Sequence, residues 1–139
     1  MTGLPTVERT PDGRRLVVDR VVAADRDAVW DLLCETDRWR EWGPSVSGVR
    51  SSDRRIEAGT TGQVQVLGGP WVSFEIRTCE NYRWTWRVAG IPATGHRVDA
   101  VPGGCRVGFE IPLVAAGYAV VCERALRRIE RLAAGDSGG

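Results

Sequence analysis

The 139-residue sequence predicts an α+β fold: a seven-stranded, curved antiparallel sheet wrapped around a long C-terminal helix, with two short helices after the first strand. Three observations carry this. In Pro112–Ala134, Val114, Tyr118, Val121, Ala125, Ile129 and Leu132 recur at steps of three and four, along one side of an α-helix. Between Val46 and Ile111, short segments alternate apolar and polar residues and are separated by brief turn signals, as in an antiparallel meander. Ahead of both, a valine-rich strand runs straight into a helical pattern.

Met1–Gly13 contains Pro5, Pro11 and Gly13 with little periodicity, so it is expected to be loosely packed. The core of one domain spanning 1–139 then covers about residues 15–134, with flexible ends. Arg15–Ala23 is the first strand. Asp25 is placed to N-cap the next helix, Asp27 suits its first turn, and Ala28, Val29, Leu32 and Leu33 mark its buried stripe beside Trp30. A second short helix starts at Asp37 and is stopped by Gly43-Pro44, with Trp39 and Trp42 on one face. These two rings either plug the sheet from outside or line its mouth.

Six strands follow: Val46–Ser52, Thr60–Leu67, Trp71–Thr78, Tyr82–Ala89, Thr94–Val101 and Cys105–Ile111. A three-residue turn at Cys79–Asn81 would set Phe74 beside Trp86 and Ile76 beside Trp84. A four-residue connection at Val101–Gly104 sets Asp99 opposite Arg106, His96 opposite Phe109 and Val98 opposite Val107. The inner face then reads Phe74, Trp84, Trp86, Val88, His96, Val98, Val107, Phe109 and Ile111: an aromatic wall with one titratable group. Arg87, Arg97 and Arg106 fall on the outer face as a solvated charge ladder, while Arg20 is ambiguous because valines occupy both faces of its strand. On the final helix, Val114–Val121 is apolar all round and expected to be covered. Charged residues from Glu123 to Arg131 supply a solvated face, and Gly135 offers a left-handed cap.

Charges nearly cancel, at 19 Lys+Arg (all arginine) against 18 Asp+Glu, which argues against a nucleic-acid partner. Without lysine, Schiff-base chemistry on a lysine is excluded. Cys34, Cys79, Cys105 and Cys122 form no C-x-x-C pair, so no metal site is expected and each reads as a small buried thiol. No apolar run is long enough for an integral membrane segment and no signal peptide is visible, so the expected location is cytoplasmic. No cofactor is expected, and a homodimer is left open.

Strand, two short helices, six strands and a long helix, together with Asp27-Ala28-Val29-Trp30-Asp31-Leu32-Leu33 and Trp39-x-x-Trp42-Gly43-Pro44, resemble the START and Bet v 1-like (SRPBCC) superfamily and its polyketide cyclase/dehydrase-like members. The resemblance covers about Arg15–Ala134. It implies a helix-grip fold whose seven-stranded sheet encloses an apolar cavity for lipids, sterols, aromatic polyketides or other metabolites. Members catalyse aromatic cyclisation, hydrolyse, dehydrate, carry lipid or bind a partner protein. The matching motif is scaffold rather than chemistry, and no catalytic residue is assigned through it.

The expected function is therefore binding of an apolar or aromatic small molecule between sheet and helix, at Trp42, Phe74, Trp84, Trp86, His96, Phe109, Tyr118 and Val121. The alternative is a cyclase-, aromatase- or dehydratase-like enzyme in the same cavity, with His96 and Tyr118 as the candidate catalytic groups. For His96 the competing reading is a buried imidazole bonded to backbone or hydroxyl. Gly117, inside the final helix, either makes room for a ligand or strand or is simply a tolerated small residue. A protein-binding module working through the outer face is the third reading.

Overall fold

The structure, a computed structural model, describes residues 4–138, with side chains through residue 135. In chain order the elements are β1 (Thr6–Thr10), β2 (Gly13–Val22), α1 (Arg26–Cys34), a 3-10 turn (Thr36–Arg38), α2 (Trp39–Trp42), β3 (Val46–Ser51), β4 (Thr61–Val66), β5 (Trp71–Glu80), β6 (Arg83–Val88), β7 (Ile91–Val101), β8 (Gly104–Pro112), a second 3-10 turn (Leu113–Tyr118) and α3 (Ala119–Gly138). The strands form one antiparallel sheet of eight in the order β1-β2-β8-β7-β6-β5-β4-β3. The expected count of seven omitted β1. Residues read as loosely packed pair with β2 through Thr6↔Val17 to Thr10↔Gly13, and Gly13 takes the positive φ (101°) that the turn needs. Residues 1–3 lie outside the described residues.

The two short helices sit where expected, and their coupling explains the Trp-x-x-Trp spacing. Asp25 stands at the N-cap of α1 in extended conformation, without a side-chain cap bond. Its carbonyl accepts the Val29 amide at 3.2 Å. At the other end the last carbonyls of α1 have no partner within the helix. Trp42 Nε1 donates to the Leu32 carbonyl and Trp39 Nε1 to that of Leu33, each at 2.8 Å, while the Ile56 amide reaches that of Cys34 at 3.0 Å. The tryptophans thus close the helix end and bury their rings in one step.

The β7–β8 register is as expected, with His96↔Phe109, Val98↔Val107 and Asp99↔Arg106. The connection itself is the two-residue Pro102-Gly103 and not the four residues expected, because Val101 and Gly104 pair; only Gly103 has a positive φ (81°), so Pro102 is not strained by the tight turn. The β5–β6 register requires a correction. The turn is the two-residue Asn81-Tyr82, both with positive φ (53° and 60°), and a bulge at Arg77 then restores the inward parity. Ile76 therefore pairs with Trp86 and Phe74 with Val88, leaving the predicted face assignment intact.

The C-terminal helix also differs from expectation. Residues 113–118 form a 3-10 turn in which Ala115 (φ −111°, ψ 26°) leaves helical geometry, and only from Ala119 is the chain α-helical. Val114, placed on the buried stripe, is 100% exposed, and Leu113 and Val120 are exposed too, so the first third of the segment is uncovered. Gly135 is not a cap, because the helix runs on to Gly138. Cys122, Ala125, Leu126, Ile129 and Ala133 of α3 pack into the core with Val18, Val107, Phe109 and Ile111 from the sheet. Arg20, whose face was ambiguous, pairs with Val107 on the inner side and meets Glu130 of α3 at 2.9 Å.

Candidate functional site

An aromatic cluster occupies the space between sheet and α3. Trp39 stacks on Trp84 (5.3 Å between centroids, 8° between planes), and Trp84 stacks in turn on His96 (3.8 Å, 21°). Phe74 and Trp86 pack around Trp39, while Trp42 and Phe109 pack edge-on or tilted around His96. The cavity they leave is about 50 Å³. Ligand pockets typically run from about 300 to 1,000 Å³, so the roomy hollow expected here is largely filled. The physical reason is that α2 inserts two indoles between sheet and helix, and both rings plug the interior and line the remaining cavity.

Of the predicted binding residues, Trp42, Trp84, Trp86, His96, Phe109, Tyr118 and Val121 line this cavity, whereas Phe74 lies behind Trp39 and Trp86 and does not reach it. Sequence reasoning missed Thr94 and Ser45. Thr94 was findable by strand alternation, since it sits two residues before His96; Ser45, in a loop, carried no such signal.

The polar atoms form a chain. Trp86 Nε1 donates to Thr94 Oγ1 at 3.2 Å, Thr94 Oγ1 lies 3.0 Å from His96 Nε2, and His96 Nδ1 lies 3.4 Å from the Trp84 carbonyl. The consistent assignment has Nδ1–H donating to the carbonyl and the Thr94 hydroxyl donating to Nε2. Burial pushes the imidazole pKa down to about 3, against the opposing pull of the Trp84 carbonyl, so His96 is neutral at physiological pH. Its acceptor nitrogen is already engaged. Tyr118 is bonded to Ser45 through their hydroxyls at 2.6 Å, and desolvation raises its pKa. Trp84 Nε1 is buried without a hydrogen-bond partner among the described residues.

Beyond Ser45 and Tyr118 the cavity gives way to an open apolar groove of about 420 Å³. Val46, Val66, Trp86, Val88, Ile91 and Val114 are among its walls, and Ser45, Val46, Trp86, Thr94 and Tyr118 border both spaces. The uncovered 3-10 turn is thus one lip of this groove. No group of His, Cys, Asp and Glu among the described residues could hold a metal ion, and no helix there is long and apolar enough to cross a membrane.

A curved antiparallel sheet closed on a C-terminal helix, with an apolar groove at its mouth, defines a domain of the helix-grip fold. The chain belongs to the family described as polyketide cyclase / dehydrase and lipid transport, whose model matches residues 13–134. An uncharacterized protein of Mycobacterium tuberculosis is 29% identical over 126 residues, covering 84% of this chain and 74% of its own. Among solved structures, the di-domain aromatase/cyclase StfQ of the steffimycin biosynthetic pathway superposes with a TM-score of 0.66 at 14% identity, over 88% of this chain and 51% of that one. Protein Ms6760 from Mycobacterium smegmatis does so with 0.64 at 16%, over 96% and 99%. At these identities the likeness is one of fold.

Proposed function

We propose that the protein binds a hydrophobic small molecule, a lipid or an aromatic, polyketide-like metabolite, in the groove between the sheet and the start of the C-terminal helical segment. The observation that carries this is the size and lining of the groove: about 420 Å³, walled by aliphatic and aromatic side chains and continuous in its border residues with the inner cavity. That volume lies within the ordinary range for small-molecule sites, and the 50 Å³ of the inner cavity does not. A bound ligand would therefore sit mainly in the groove, with Trp86 at its inner end.

An enzymatic reading, cyclase- or dehydratase-like, is supported by Tyr118 and His96 bordering one cavity. In the geometry seen, a neutral His96 whose acceptor nitrogen receives the Thr94 hydroxyl has little capacity as a base. Binding is the better supported of the two.

The test is titration with N-phenyl-1-naphthylamine, following probe emission and tryptophan quenching, for the natural sequence and for Val88→Glu. A carboxylate on the groove wall should weaken binding at least tenfold, because burying an unpaired charge beside an apolar probe is costly. Equal affinity for both proteins would remove the groove as the site. Native mass spectrometry of protein from its own host would then name the ligand class.

A further inference from the structure

We propose a second binding site, on the outer face of the sheet, for a small organic oxyanion such as a phosphate monoester or a di- or tricarboxylate. A cleft of about 350 Å³ opens there between the β1–β2 turn and the β5–β6 ladder. Asp12 and Arg15 form one side and Arg77 and Arg87 the other, with Thr85, Gly95 and Glu110 beneath. The strand that the sequence reading omitted is what makes it a cleft: Asp12, in the β1–β2 turn, reaches Arg83 at 2.8 Å.

The floor is a built arrangement. Glu110 is 2% exposed, and two guanidinium groups satisfy its carboxylate: Arg83 at 2.7 and 3.2 Å and Arg97 at 3.3 Å. Gly95 leaves the room for it, since a Cβ there would fall 2.9 Å from Glu110 Oε1. Arg83 and Arg97 also hold Asp12 (2.8 Å) and Glu8 (3.2 Å), so they offset the charge of Glu110 only in part, and the cations left over for a ligand are those of the walls. The Thr78 and Thr85 hydroxyls are 2.8 Å apart, so one of them donates to the other and the second proton remains for another acceptor.

The walls are under-neutralised. Arg15 donates only to the Arg14 carbonyl (3.0 Å), and Arg87 makes no hydrogen bond or ion pair with any described residue. Glu75, the cross-strand neighbour of Arg87, is held instead by Arg77 at 3.3 Å. Arginines with free forks facing across a cleft of this size are suited to an oxyanion, which accepts two N–H bonds from each planar guanidinium. A fully solvated charge ladder would lack the buried acid, the glycine that admits it and the concavity.

The cleft adjoins the apolar groove, sharing Trp86, Pro92 and Ala93 with its lining, and polar probes report on the cleft alone. The experiment is a ¹H–¹⁵N correlation titration of the whole protein with inorganic phosphate and, separately, with citrate, against sodium chloride at matched ionic strength. Saturable shifts confined to Arg15, Thr78, Thr85, Gly95 and Arg87 are expected. Arg15→Ala and Arg87→Ala should each weaken binding about five- to tenfold, and Arg106→Ala, elsewhere on the outer face, should leave it unchanged. Saturation by phosphate alone, citrate alone or both supports the proposal and distinguishes the anion class. Unsaturable shifts spread over the outer arginines, or shifts reproduced by chloride, overturn it.

Discussion

At the scale of single residues, His96 shows how an environment decides a role. An imidazole on an inward strand position could serve as base, donor or core. Here its ring lies 3.8 Å from that of Trp84, both nitrogens have partners, and desolvation holds it neutral down to a pKa of about 3. Linkage gives the sign of the consequence. The unfolded chain binds a proton on this histidine below about 6.5, whereas the folded protein does not until about pH 3. Stability is therefore unaffected by His96 above about pH 6.5 and falls as pH drops towards 3, with a limiting slope of about 1.4 kcal/mol per pH unit. Carboxylates titrate over part of the same window, so the diagnostic is a difference. Urea midpoints measured from pH 7 to pH 4 should fall more steeply for the natural sequence than for His96→Asn. Parallel curves would show that the histidine is charged or exposed in the folded state.

Among the elements, the segment from Pro112 to Tyr118 separates what could be read from the chain from what could not. Alternation in β6, β7 and β8 placed Trp84, His96, Val98, Val107 and Phe109 on the core face correctly, because a one-residue slip would have exposed every one of them. The bulge at Arg77 left no sequence signal, but it moved the register without changing the face. Residues 113–118 were read as buried helix because they are apolar. Apolarity alone does not say whether a face is covered by the chain or left for something else. The N-terminal strand was missed for the opposite reason: Thr6–Thr10 is polar and mostly exposed, as suits a sheet edge, and lacks the alternation of a half-buried strand. Gly117 tests the reading of the turn. A Cβ there would meet nothing within 4 Å, so neither a strand nor packed side chains require the glycine. Gly117→Ala should leave thermal stability unchanged or raise it by about 0.4–1 kcal/mol through the unfolded state, and probe affinity should stay within a factor of two. A marked loss of affinity would mean that the ligand passes over that position.

For the molecule as a whole, the question is how a fold with so little enclosed space admits a ligand. Ser45, in the loop after α2, and Tyr118, at the end of the 3-10 turn, border both the inner cavity and the outer groove, and their hydroxyls meet at 2.6 Å. That bond ties the α2–β3 connection to the C-terminal segment across the boundary between the two spaces. The α2–β3 connection is also held by the Leu67 amide on the Ser45 carbonyl at 3.0 Å, so the looser partner is the turn, which presents exposed Leu113 and Val114 to solvent and in which Ala115 has already left helical geometry. A hydrogen bond of this kind contributes about 1 kcal/mol net, which corresponds to roughly a fivefold change in the population of an opened state. Tyr118→Phe and Ser45→Ala should therefore raise the stopped-flow association rate of N-phenyl-1-naphthylamine about two- to fivefold. Neither removes groove wall, so equilibrium affinity should change by less than the tenfold loss expected for Val88→Glu. The two kinds of variant thus separate access from occupancy. If Tyr118→Phe leaves the association rate unchanged while Val88→Glu abolishes binding, the groove receives its ligand directly from solvent and the tyrosine–serine contact is only a structural tie.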